Sequence, residues 1–127
     1  MTRFDAGEVI TAMVTPFTKD GNVDYDKAGE LARYLIDNGS DSLLITATTG
    51  ECPTLTNVEE IELLSTVKRA VKNEAKIIMG AGSNSTSEAV KYAKMAEKEG
   101  ADAILSVVPY YNKPSQEGMK AHFSAIA

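Results

Sequence analysis

Four short runs of apolar, largely β-branched residues punctuate the chain: Val9 to Val14, Leu43 to Ile45, Ile77 to Met79 and Ala103 to Val108. They recur at roughly 30-residue intervals, about the length of one strand plus its crossover helix. Between the runs the hydrophobic spacing changes to that of a helix. Ala28, Leu31, Ala32, Leu35 and Ile36 fall at i, i+3, i+4, i+7 and i+8, which is one face, and Gly39 offers a left-handed stop. Thr56 with Glu59 three residues on is a capping-box pair, and it opens a second helix with Ile61, Leu64, Val67 and Val71 on one side. Ser85 and Glu88 repeat the pair before Ala89, Tyr92, Ala93 and Ala96, with Gly100 closing the segment. A fourth helix is predicted from about Ser115, with Met119, Phe123 and Ile126 on one face. His122 on that helix reads as a surface residue without a role.

Apolar strands alternating with helices imply a parallel sheet covered by helices, either a doubly wound sheet or part of an eight-stranded barrel. A whole barrel needs roughly 250 residues, so four strand-helix units would be half of one. The fourth helix reaches Ala127 with no stop signal, so the expectation over residues 1–127 is a single partial α/β domain, with the choice between the two architectures still open.

Composition narrows the function. At 127 residues, 43% hydrophobic and 24% charged, the chain has the make-up of one folded domain. A net charge of -5 without a basic run argues against nucleic acid or an anionic membrane as partner. Met1 to Glu8 lacks a signal-peptide core and no stretch is long and apolar enough to span a bilayer, so a cytoplasmic protein is expected. One cysteine, Cys52, and one histidine leave neither an internal disulfide nor a conventional zinc site.

Strand-to-helix loops of a parallel barrel gather at the C-terminal ends of the strands, and the unusual residues fall there. After the second run come Thr48, Thr49, Gly50 and Glu51; after the third, Gly80, Ala81, Gly82, Ser83 and Asn84; after the fourth, Pro109, Tyr110, Tyr111, Asn112, Lys113 and Pro114. The opposite loops are ordinary Gly, Asn and charged turns. Two hydroxyls and a glycine at a strand end can donate to a small carboxylate, although a tight turn with local hydrogen bonds is an equal reading. The Gly80–Gly82 segment lacks the pattern of a nucleotide loop and reads better as close packing ahead of a helix. Two phenols between prolines can shuttle protons, or anchor an interface. Cys52 reads as a small packing residue.

Ile10 to Phe17, Thr48 to Glu51 with Pro53-Thr54-Leu55, Gly80 to Thr86 and, most specifically, Val108 to Gly118 together resemble the dihydrodipicolinate synthase family over nearly the whole chain. The resemblance implies that residues 1–127 are the N-terminal half, about four βα units, of an α/β (β/α)8 TIM barrel in which a lysine forms a Schiff base with pyruvate, whose enamine attacks L-aspartate 4-semialdehyde, without metal or organic cofactor. Thr48 and Tyr111 match the proton-relay positions, the tyrosine reaching into a neighbouring subunit. Thr49, with Gly50 beside it, matches the site for the pyruvate carboxylate. Asn84, Glu88 and Tyr110 match an allosteric lysine pocket at a dimer interface, so a homodimer or homotetramer is implied for the full-length protein. Ala47 departs from the usual glycine. Asn57 and Glu60 stand where strongly lysine-sensitive bacterial members carry histidines, which implies weak or absent lysine inhibition.

The Schiff-base lysine, a second relay tyrosine and a carboxylate-binding arginine belong to later strands of that family. The lysines present sit on helices, at the wrong strand end or in a solvated loop, so the 127-residue chain alone is expected to be inactive. The alternatives are a related pyruvate aldolase, of the N-acetylneuraminate lyase or 2-keto-3-deoxygluconate type, and a non-catalytic half-barrel binding module.

Overall fold

A computed structural model describes residues 3–127. Strands β1 (Ile10–Ala12), β2 (Ser42–Ile45), β3 (Lys76–Gly80) and β4 (Ala103–Leu105) alternate with helices α1 (Tyr25–Asp37), α2 (Asn57–Val71), α3 (Thr86–Lys98) and α4 (Gln116–Ile126). The sheet is parallel throughout, in the order β1-β2-β3-β4. That order separates the two architectures left open by the hydrophobic pattern, and it agrees with the barrel implied by the resemblance. A doubly wound sheet reverses strand order at a switch point, whereas consecutive right-handed crossovers place every helix on one side, as in a barrel wall.

Register shows which side that is. Leu43 pairs with Ile77 and Met79 with Ile104, and this row faces the helices. Leu43, Ile45, Ile77 and Met79 are buried there with Ala28 and Ala32 of α1, Leu63, Leu64, Val67 and Val71 of α2, and Ala96 of α3. The alternate row runs Ala12, Leu44, Ile78 and Ala103. It belongs to the face that corresponds to a barrel interior, and Ile10, Val14 and Leu105 on that side are about half exposed.

The helices form where their apolar spacing puts them, and their ends follow local chemistry. Asp24 accepts from the Lys27 N–H at the start of α1, and Gly39 beyond its end has φ +103°. The Thr56 and Glu59 capping box at α2 is complete in both directions, and the two donors at Thr56 hold the Glu59 carboxyl below its usual value. Two expectations need correction. Ser85 occupies the N-cap of α3, but its side chain accepts no helix N–H; its hydroxyl bonds Ser87 and Glu88 pairs with Lys91 at 2.7 Å. Competition from a neighbouring hydroxyl and a lysine i+3 away takes both halves of the box. His122 is buried, 3% exposed, with Nδ1 2.8 Å from the Thr86 hydroxyl, because α4 packs this face onto α3.

Candidate functional site

Parallel strands bring all strand-to-helix loops to one end of the sheet, and the structure builds a concavity there from three of them. Its geometry begins with a tight turn after β2. Thr46 is buried with φ +51°, and the Gly50 N–H donates to the Ala47 carbonyl at 3.0 Å while the Glu51 N–H donates to Thr48 at 3.0 Å. From the end of β1, the buried Thr15 hydroxyl donates to the Gly50 carbonyl at 2.7 Å. A Cβ at Gly50 would meet that hydroxyl at 3.1 Å and Met13 O at 3.2 Å, so the turn is pressed onto β1 through a residue without a side chain. Among the described residues the Thr48 and Thr49 N–H groups donate to no protein acceptor. Both residues are exposed, leaving their N–H groups and hydroxyls open to a ligand.

The loops after β3 and β4 pack against this turn just as closely. A Cβ on Gly80 would lie 2.2 Å from the Thr46 carbonyl oxygen, and one on Gly82 would lie 2.7 Å from the Val107 N. Close approach of backbone, one of the two readings of this glycine pair, is therefore what the glycines provide. Four non-glycine residues in the strand-end loops, Thr46, Glu51, Tyr111 and Lys113, hold positive φ. Such conformations cost of order 1 kcal/mol each and cluster where a fold fixes functional groups.

Between these loops lies a cavity of about 380 Å³. Thr48, Cys52, Glu60, Tyr92, Ser106 and Tyr110 contribute polar groups to a largely apolar lining that Pro53, Leu105 and Val107 help to form. It joins two residues singled out from sequence, Thr48 and Tyr110. Thr49 stands next to Thr48 on the exposed side of the turn, and Gly50 is buried beneath it. Asn84 and Glu88 flank the same end, on the loop after β3 and the first turn of α3. Tyr111 does not line the cavity; its ring is 95% exposed and projects from the loop. No lysine among the described residues lines the cavity.

Glu60 is the residue the sequence reading undervalued, since it entered only as a departure from a histidine. Its side chain is 7% exposed, and burial pushes its carboxyl up from the usual 4.5 to about 7. The signal was present: Glu60 stands three and four residues before Leu63 and Leu64, on the apolar stripe of α2. Burial, then the nearby Glu60 carboxyl, also raises the Cys52 thiol and the Tyr92 phenol. Cys52 is thus a partly buried wall residue with a less acidic thiol. Thr15 was likewise part of a quoted motif without an assigned role.

Comparisons with known proteins fit this geometry. Residues 5–127 match the dihydrodipicolinate synthetase family. The 4-hydroxy-tetrahydrodipicolinate synthase of Thermosynechococcus vestitus is 58% identical over 123 residues, 97% of this chain and 42% of that protein. The protein of the same name from Prochlorococcus marinus is 54% identical over 121 residues, 95% of this chain and 40% of its own. Among solved structures, a dihydrodipicolinate synthase from Bacillus anthracis superposes with a TM-score of 0.94 at 48% identity, covering 98% of this chain and 42% of that one. The Cyanidioschyzon merolae synthase with lysine bound gives 0.93 at 54%, covering 96% and 42%. A chloride-inhibited synthase from Acinetobacter baumannii complexed with pyruvate gives 0.93 at 42%, covering 96% and 42%. The chain spans about two fifths of the length of these relatives, and its four-stranded sheet corresponds to half of their barrel.

Proposed function

The chain belongs to the dihydrodipicolinate synthetase family, and from that premise we propose that it forms the N-terminal part of a 4-hydroxy-tetrahydrodipicolinate synthase. The full-length protein condenses pyruvate with L-aspartate 4-semialdehyde through a lysine Schiff base, in a cytoplasmic homo-oligomer. The observation that carries the reading is the turn after β2. Among the described residues it presents two hydroxyls and two N–H groups that donate to no protein acceptor, at the rim of the cavity at the C-terminal ends of the strands. Such a cluster of donors suits a small carboxylate, and a relative of this family is known in complex with pyruvate.

In this reading Thr49, with Gly50 shaping the turn, holds the pyruvate carboxylate. The Gly50 N–H is occupied by Ala47, so the glycine serves by its lack of a side chain and the donors are the threonines. The hydroxyls of Thr48 and Tyr111 pass protons during imine formation, which they can do as neutral groups without a fixed charge beside the enamine. Tyr111 reaches a second subunit in the same reading, which its exposure on the loop supports. The amine that captures pyruvate is supplied by residues outside this sequence.

The test is pyruvate with borohydride, followed by intact mass. The full-length protein should gain a stable adduct and turn over both substrates, whereas residues 1–127 alone should gain none. An adduct on the isolated chain, or a full-length protein that ignores aspartate semialdehyde, overturns the assignment.

Asn84, Glu88 and Tyr110 form the lysine pocket in the same reading, supported by a 54% identical relative whose structure holds lysine. Asn57 and Glu60 in place of histidines should leave inhibition weak. A lysine inhibition curve on the full-length protein checks this, and strong inhibition below 1 mM, roughly −4 kcal/mol of binding, would contradict it.

A further inference from the structure

We propose that Asn112 is the positioning residue for Tyr111, its amide acting as the clamp that fixes where the phenol points. The inference rests on Tyr111 as a working residue of the synthase. The segment from Val107 to Pro114, between β4 and α4, has no regular structure, and prolines at both 109 and 114 supply no N–H. Within these 127 residues the ring of Tyr111 finds no packing, being 95% exposed, so what the loop offers to a second subunit is set by the loop itself. Local preference does not hold it either, because Tyr111 and Lys113 both sit at positive φ, 64° and 46°.

Among the described residues, one hydrogen bond ties residues 107–114 to the remainder of the chain. Asn112 Nδ2 donates to the Asn84 carbonyl at 2.7 Å, across 28 residues. Val107 packs over Gly82 and fixes only where the segment starts. Within this chain the far end, with the two left-handed residues on either side of Asn112, depends on the amide. The acceptor lies in the loop after β3, so the clamp joins two strand-end loops and sets the tyrosine relative to the cavity between them. An aspartate has the same length and no donor, and would set an anionic oxygen against the carbonyl.

Asn112→Asp in the full-length protein separates the outcomes. One net hydrogen bond is worth about 1 kcal/mol, so amide hydrogen exchange at residues 110–113 should quicken by roughly fivefold. Unchanged exchange overturns the clamp whatever the activity shows. With the tyrosine misplaced, kcat should fall roughly ten- to a hundredfold while the KM for pyruvate, held by Thr49, stays within about twofold. In a Tyr111→Phe background the same substitution should change kcat by less than about twofold, because the group it positions is gone. An equal loss in both backgrounds overturns action through Tyr111. A full-length protein without synthase activity refutes the functional reading, and exchange alone then upholds or overturns the clamp.

Discussion

Gly80→Ala should cost roughly 3 kcal/mol or more of folding stability, the upper part of the range for inserting a methyl where no space exists. The added Cβ would lie 2.2 Å from the Thr46 carbonyl oxygen and 2.8 Å from its carbonyl carbon, both backbone atoms that no rotamer change can move. Thr46 cannot retreat readily. It is buried, held at φ +51°, and followed directly by the turn that carries Thr48 and Thr49. Relief therefore requires β2 and β3 to part at their C-terminal ends, where Ile45 pairs with Met79. A loss of 3 kcal/mol lowers the folded-to-unfolded ratio more than about a hundredfold. Gly29→Ala is the control. Its Cβ would find Thr66 and Ala70 at 3.6 and 3.7 Å, ordinary contacts, inside α1, so that substitution should stabilise by about 0.5–1 kcal/mol. Urea unfolding of both variants decides the matter, and equal effects would refute the steric account.

Glu60→Gln should stabilise the protein at pH 8 by about 1–2 kcal/mol and leave it nearly unchanged at pH 4. The residue is 7% exposed and burial raises its carboxyl from 4.5 to about 7; a rise of that size corresponds to about 3 kcal/mol, of which water in the open cavity beside it leaves about 1–2. Below pH 4.5 it is protonated in folded and unfolded chains alike. Between 4.5 and 7 the unfolded chain has released its proton and the folded chain keeps it, so stability falls as pH rises. Above 7 the ion must be held in the cavity and the full cost is present. Glutamine has the same shape and never ionises. The difference between the variant and the parent, followed by urea unfolding from pH 4 to 8, should therefore grow through this window. A difference independent of pH would sink the assignment of Glu60 as a carboxyl held neutral by burial.

Much of this molecule was legible in its residues. The spacing of Ala28, Leu31, Ala32, Leu35 and Ile36 fixed both the existence and the buried face of α1. Thr56 and Glu59 marked the start of α2 to the residue. These features succeed because they are local: a helical stripe or a capping box depends on neighbours within one or two turns. Ser85 with Glu88 shows the limit, for the same two residue types failed to cap once Ser87 and Lys91 competed for them. The strand-end clusters were legible too, since parallel βα units place every such loop at one end before any coordinate is known.

What the sequence settled by itself is the set of elements, their order and the end of the sheet where the unusual residues gather. Each of these follows from periodicity and chain direction. Only the tertiary structure decided between a barrel wall and a doubly wound sheet, because that depends on which neighbour each strand chooses. The same is true of the burial of His122 against Thr86 and of Glu60 inside the cavity, which arise where α4 meets α3 and where α2 meets the loops. A side chain's solvation is set by what packs over it from distant parts of the chain, and no local pattern carries that information.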